Sequence, residues 1–74
     1  MAQGYIHTVH RGGYWYNDVE GGHRGIQGSS SKDHAVAAGR VQAMAARTEH
    51  LVHNMDGTIA YRNSYGHDPV RSRG

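Results

Sequence analysis

Hydrophobic and polar residues alternate toward both ends of the chain and give way in the middle to a helical spacing. Tyr5 to His10 carries Ile6, Thr8 and Val9, a β-rich run, and the Arg11-Gly12-Gly13 that follows has the residues of a tight hairpin turn. Tyr14 to Glu20 alternates with period two, so Trp15, Asn17 and Val19 fall on one face and Tyr14, Tyr16, Asp18 and Glu20 on the other. Trp15 and Val19 are the expected core residues of this strand. Gly21-Gly22 turns the chain again, and Arg24 to Gln27 is expected as a short third strand with Ile26 as its one apolar anchor.

Ser29-Ser30-Ser31 then supplies a helix N-cap, Ser31, whose hydroxyl can accept an orphan amide hydrogen of the first turn, with Asp33 near the positive end of the dipole. The helix is predicted over Lys32 to Arg47. Ala35, Gly39 and Ala43 recur every four residues with Val36 and Met44 beside them, which makes a flat face able to lie close on strands carrying Trp15 and Val52. A glycine costs roughly 1 kcal/mol relative to alanine inside a helix, so a close contact at Gly39 is the expected compensation. Strands over Glu49 to Asn54 and Thr58 to Asn63 are joined by an Asp56-Gly57 turn, and Tyr65-Gly66-x-Asp68-Pro69 ends the pattern. The expected order is β-β-β-α-β-β, a small α+β domain in which one helix packs on one face of an antiparallel sheet. Residues 1–69 read as a single domain and 70–74 as a solvated basic tail.

Several of these elements together resemble a known family: Thr8-Val9-His10 ahead of Gly12-Gly13 and Trp15, the Ser31-capped helix with Ala35-Val36 and Gly39, the His53-x-x-Asp56-Gly57 hairpin, and Ser64-Tyr65-Gly66-x-Asp68-Pro69. The family is the bacterial and phage domain of unknown function 2188, and the resemblance runs over residues 5–69. It implies the fold and a bacterial or phage setting, and it brings no activity with it. Asn17 and His50 depart from the pattern, standing where aliphatic residues are expected.

At 74 residues there is room for one domain, and chains of this size bury only about 60% of their unfolded surface. With no cysteine, neither a disulfide nor a thiolate zinc site can staple so small a core, so packing, oligomerisation or a partner must hold it. The opening Met1-Ala2-Gln3-Gly4 has neither a basic cluster nor an apolar h-region, and Ala2 stands against N-myristoylation. No apolar run approaches the roughly 20 residues that span a bilayer. The expectation is a cytoplasmic or phage-encoded protein with no membrane contact. Seven of the eight cations are arginine and seven histidines accompany them, so the net charge of +2 would rise to +9 (2 + 7) on full histidine protonation.

Seven histidines raise a metal hypothesis that their spacing counters. Two ligands on one strand need i, i+2 spacing to share a face, whereas His7 and His10, like His50 and His53, are three apart. A cross-strand site from His7, His53 and His10 or His50 stays open if their strands are neighbours; otherwise no metal and no cofactor are expected. Ser31, Asp33 and His34 are explained by a capping turn rather than a triad, and Asp56 and Asp68 by turn chemistry. An enzyme is not expected. The glycine-rich Gly21 to Gly28 leading into a helix N-terminus has the composition of an anion site, with Arg24, Ser29, Ser30 and Lys32 to hold a phosphate, though it lacks the Gly-Lys-Ser/Thr ending of a nucleotide loop. Tyr5, His7, Tyr14 and Tyr16 share one parity of the first hairpin, and Tyr61, Arg62 and Tyr65 sit in the last. A tyrosine-bearing face among cations can stack bases and neutralise phosphates, which makes Arg11, Tyr14, Tyr16, Arg24, Lys32 and Arg62 the candidate nucleic-acid contacts of a non-enzymatic binding module. The alternative is a protein-interaction or structural accessory subunit, because tyrosines equally suit protein interfaces and a homo-oligomer.

Overall fold

The computed structural model describes residues 4–66, so the Asp68-Pro69 stop and the basic tail lie outside the described residues. Four strands and one helix follow in the order β1 (Ile6–Arg11), β2 (Tyr14–Val19), α1 (Lys32–Ala46), β3 (Glu49–His53) and β4 (Ile59–Ser64). Gly12 and Gly13 both adopt positive φ, as a two-residue hairpin turn between right-twisted strands requires. Ser31 caps α1 through its Oγ, which accepts the amide hydrogen of His34, and Arg47 closes the helix in the left-handed conformation.

The α+β class and the single helix match the sequence, while two features of the sheet differ from it. The strand order is β2-β1-β3-β4, with β1 and β3 parallel at the centre and both outer pairs antiparallel, so the sheet is mixed. The parallel pair arises because the segment after β2 climbs back along that strand before α1 descends across the sheet, so β3 starts at the same end as β1. That segment is the second difference. Arg24 to Gln27 forms no strand; only Ser29 bridges to Trp15, and Ile26 is 95% exposed. Gly25 lies so close to the Asn17 backbone that a Cβ there would sit 2.5 Å from the Asn17 carbonyl oxygen, leaving no space for a paired strand of ordinary residues.

One face of the sheet lies under α1. Ile6, Trp15 and Val52 are buried there against Ala35 and Ala43, whereas Val19, expected in the core, is only half-buried. At the middle of the contact the core is polar. The Thr8 hydroxyl donates to Asn17 Oδ1 at 2.5 Å and receives His50 Nε2 at 2.7 Å, and Asn17 Nδ2 donates to the Ala35 carbonyl at 3.0 Å. Because Thr8 has only one proton to give, His50 must carry its hydrogen on Nε2. Gly39 sits directly on this node: a Cβ there would lie 2.5 Å from Asn17 Oδ1, 2.7 Å from His50 Nε2 and 2.8 Å from Thr8 Oγ1.

Alanine at position 39 gains helix propensity yet collides with three hydrogen-bonded atoms. We therefore expect Gly39→Ala to destabilise by about 1–3 kcal/mol, and Gly39→Leu by more, read as a lowered midpoint in urea. A midpoint equal to or above that of the parent would show that α1 stands off the sheet.

Candidate functional site

The face of the sheet away from α1 carries Arg11, Tyr14, Tyr16 and Arg62 of the residues singled out above, and both of these arginines are already paired with carboxylates. The Arg11 guanidinium lies 4.2 Å from the Tyr16 ring centroid, donates to Asp18 Oδ2 at 2.7 Å and donates to the Gly25 carbonyl at 2.9 Å. The Gly25 amide donates to Asp18 Oδ1 at 2.6 Å, which ties the returning segment to β2. Partial burial pushes the Asp18 carboxyl up, but the Arg11 bond, the Gly25 amide and the charges of Arg11 and Arg24 outweigh it and hold the group below its ordinary value.

The six candidate contacts do not converge. Arg11, Tyr14 and Tyr16 share the β1–β2 surface, and Arg62 lies on the same face but across β3, 3.7 Å from Glu49. Lys32 sits over Trp15 on the helix side, 5.1 Å from its ring, and Arg24 is exposed beside the β2 edge. Tyr61 is opposite Val52 and so belongs to the helix side. Ser29, one of the two serines expected to hold a phosphate, serves the turn instead: its Oγ donates to the Ser31 carbonyl and accepts the Ser31 amide hydrogen, both at 3.1 Å. Beside them a half-open cleft of about 350 Å³ lies between Trp15, Asn17, Gln27, Ser29, His34 and Ala38.

The histidines divide between the two faces. His50 is buried under α1, and His10 packs on the Trp15 ring at 4.9 Å. On the opposite face His7 Nδ1 stands 2.9 Å from His53 Nε2, His7 Nε2 is 2.7 Å from Glu20 Oε1, and His53 Nδ1 is 3.2 Å from the Gly57 carbonyl. Two members of the cross-strand set thus meet while His10 and His50 point the other way. Among the described residues no group of three or more histidine or acidic side chains is gathered as for a metal ion. Strand alternation puts Glu20 on the same face as Tyr14, Tyr16 and Asp18 but does not show its contact with His7, which the β1–β2 register creates. Asp56 does what its turn position suggested: Oδ1 accepts from the Thr58 amide and hydroxyl, bonds that hold its carboxyl below the ordinary value.

A two-layer domain of one helix on a four-stranded sheet, with a histidine pair and a tyrosine-arginine surface on its open side, defines the class of protein. The chain belongs to the family described as uncharacterized protein conserved in bacteria, DUF2188, whose model matches residues 6–65. No curated protein and no solved structure matches it. No helix among the described residues is long and apolar enough to cross a membrane.

Burial pushes the His50 imidazole below its ordinary value, assisted by the charges of Arg40 and His7. A histidine held neutral by folding contributes its stability above the unfolded value of about 6.5, and that contribution is lost as pH falls below it. Between pH 7 and pH 5 the unfolding midpoint should fall, and His50→Gln, which keeps a donor for Thr8, should flatten the profile. Parallel profiles for the two proteins would locate the acid sensitivity elsewhere.

Proposed function

We propose that this chain is a small non-enzymatic interaction module that takes an extended segment of a protein partner onto the free edge of β4. The observation that carries this reading is the contrast between the two sheet edges. Along β2, Trp15 exchanges both backbone hydrogen bonds with Ser29, and the Val19 amide donates to the His23 carbonyl, so the strand is covered by its own loop. Along β4, all six residues are exposed, and nothing among the described residues pairs with its outer side. The Tyr65 amide donates to Thr48 on the β3 side. By the alternation of a strand, the amides and carbonyls of Arg62 and Ser64 then face outward. An open row of this kind is the ordinary template for strand addition, and the half-exposed Ile59 and Tyr61 beside it supply apolar anchors.

Nucleic-acid association is the weaker reading here, because Arg11 is committed to Asp18 and Gly25 and covers the ring of Tyr16. Arg24 and Lys32 keep that reading open, since neither takes part in an ion pair among the described residues.

Two measurements separate the readings. Hydrogen exchange on the assembly purified from its native source should show the Arg62 and Ser64 amides newly protected. Ser64→Pro, which removes an outward amide and no ladder bond, should release the partner with folding intact. The counter-experiment titrates short single- and double-stranded DNA and RNA at low and physiological salt, at pH 7.5 and pH 6. Binding that weakens with salt and strengthens at pH 6, with no protection along β4, would favour the nucleic-acid module instead.

A further inference from the structure

We propose that the strand taken up by β4 is β4 of a second copy of this chain, paired antiparallel about a two-fold axis at Asn63. This inference rests on the edge-pairing reading above, to which it adds the occupant and the register.

The segment from Tyr61 to Tyr65 is close to being its own antiparallel complement. Tyr61-Arg62-Asn63-Ser64-Tyr65 has a tyrosine at each end, an asparagine at the centre and a polar residue on either side of it. Arg62 and Ser64 turn their amides and carbonyls away from β3, so these are the positions that can exchange backbone hydrogen bonds with an added strand. An axis at Asn63 sets Arg62 opposite Ser64 of the second copy, and symmetry repeats the exchange. Asn63 then faces Asn63 of the second copy, and Tyr61 faces Tyr65 of the second copy. Both are non-hydrogen-bonded pairs, in which side chains approach most closely. Aromatic cross-strand pairs are favourable there, and the two Asn63 amides can donate and accept across the axis.

Charge selects this register over its neighbour. An axis at Arg62 would also satisfy the outward backbone groups, but it would set Arg62 against Arg62 of the second copy, and like charges directly opposite destabilise a pair. With the axis at Asn63, each arginine faces a serine and keeps its own carboxylate, Glu49 at 3.7 Å. The sheet also limits the length of the added strand. His53 is opposite Ile59 and Val52 opposite Tyr61, so Ala60 is an extra residue on β4, a bulge that ends regular pairing ahead of Tyr61. The same short segment from a second copy meets that limit at both ends. The helix leaves room for it, because α1 packs on β1, β2 and β3 and not on β4.

Sedimentation of the untagged full chain over a wide concentration range should show a reversible monomer–dimer equilibrium, and hydrogen exchange of the dimer should show the Arg62 and Ser64 amides protected. Ser64→Lys sets a lysine against Arg62 of the second copy and should weaken the dimer about tenfold, since symmetry counts the unfavourable pair twice. Adding Arg62→Glu to that variant sets each glutamate against a lysine and should restore the dimer. Both positions are exposed, and unfolding curves establish that each variant is folded. A dimer that ignores Ser64→Lys, or that the double variant R62E/S64K fails to recover, would overturn the register. A chain that stays monomeric at every concentration would overturn self-pairing. The edge reading would then stand alone if the two amides are protected in the assembly from the native source, and would fall with it if they are not.

Discussion

The close seat of Gly39 on the Thr8, Asn17 and His50 node is the contact on which the rest of the domain depends. It joins three of the four strands to the helix at one point, and it tolerates no side chain on the helical residue. Hydrophobic burial alone would let α1 slide or roll over a small sheet, because Ala35 and Ala43 offer little shape to interlock. A buried hydrogen-bond set has far less freedom, since each member left without its partner costs roughly 1–3 kcal/mol. The node therefore sets the register of the helix, while Ile6, Trp15 and Val52 contribute most of the apolar burial around it.

What could be read from the sequence was local. The Gly12-Gly13 turn, the Ser31 cap, the flat Ala35-Gly39-Ala43 face and the Asp56 turn depend on residues a few positions apart, and each is present. The pairing of β1 with β3 depends on residues more than forty positions apart, and nothing in the spacing distinguishes a parallel from an antiparallel neighbour. That register decides which histidines meet: it brings His7 to His53 and leaves His10 and His50 on the other face. Asn17 and His50 read as departures from the pattern because the node that takes them is assembled from β1, β2, β3 and α1: His50 lies 42 residues from Thr8, and Asn17 reaches the Ala35 carbonyl 18 residues on. Arg11 and Asp18 lie on adjacent strands of one hairpin, yet their pairing needs the arginine to reach along the strand past Tyr16, which alternation alone does not show.

The two faces of the sheet use the same residue type in opposite ways. Under α1, a histidine is buried, neutral and fixed as one tautomer by a threonine that has a single proton to give. On the open face, His7 and His53 meet at 2.9 Å, with Glu20 on the far side of His7 and the Gly57 carbonyl on the far side of His53. Composition counts these rings alike, and only the strand parity separates a core residue from one on the open face.

The loop folded along β2 also fixes how many copies or partners the sheet can join edge to edge. A sheet with two open edges can be extended indefinitely, each added chain offering a fresh surface to the next, which is the geometry of a filament. Here the described residues leave one edge open and close the other with the domain's own backbone. Association through that edge would be self-terminating: a second copy would consume the one edge left open among the described residues on each side and end in a closed pair, and a foreign strand would end in a one-to-one complex. The glycine-rich segment between β2 and α1 would then stand as a stopper against polymerisation, because it occupies the β2 edge.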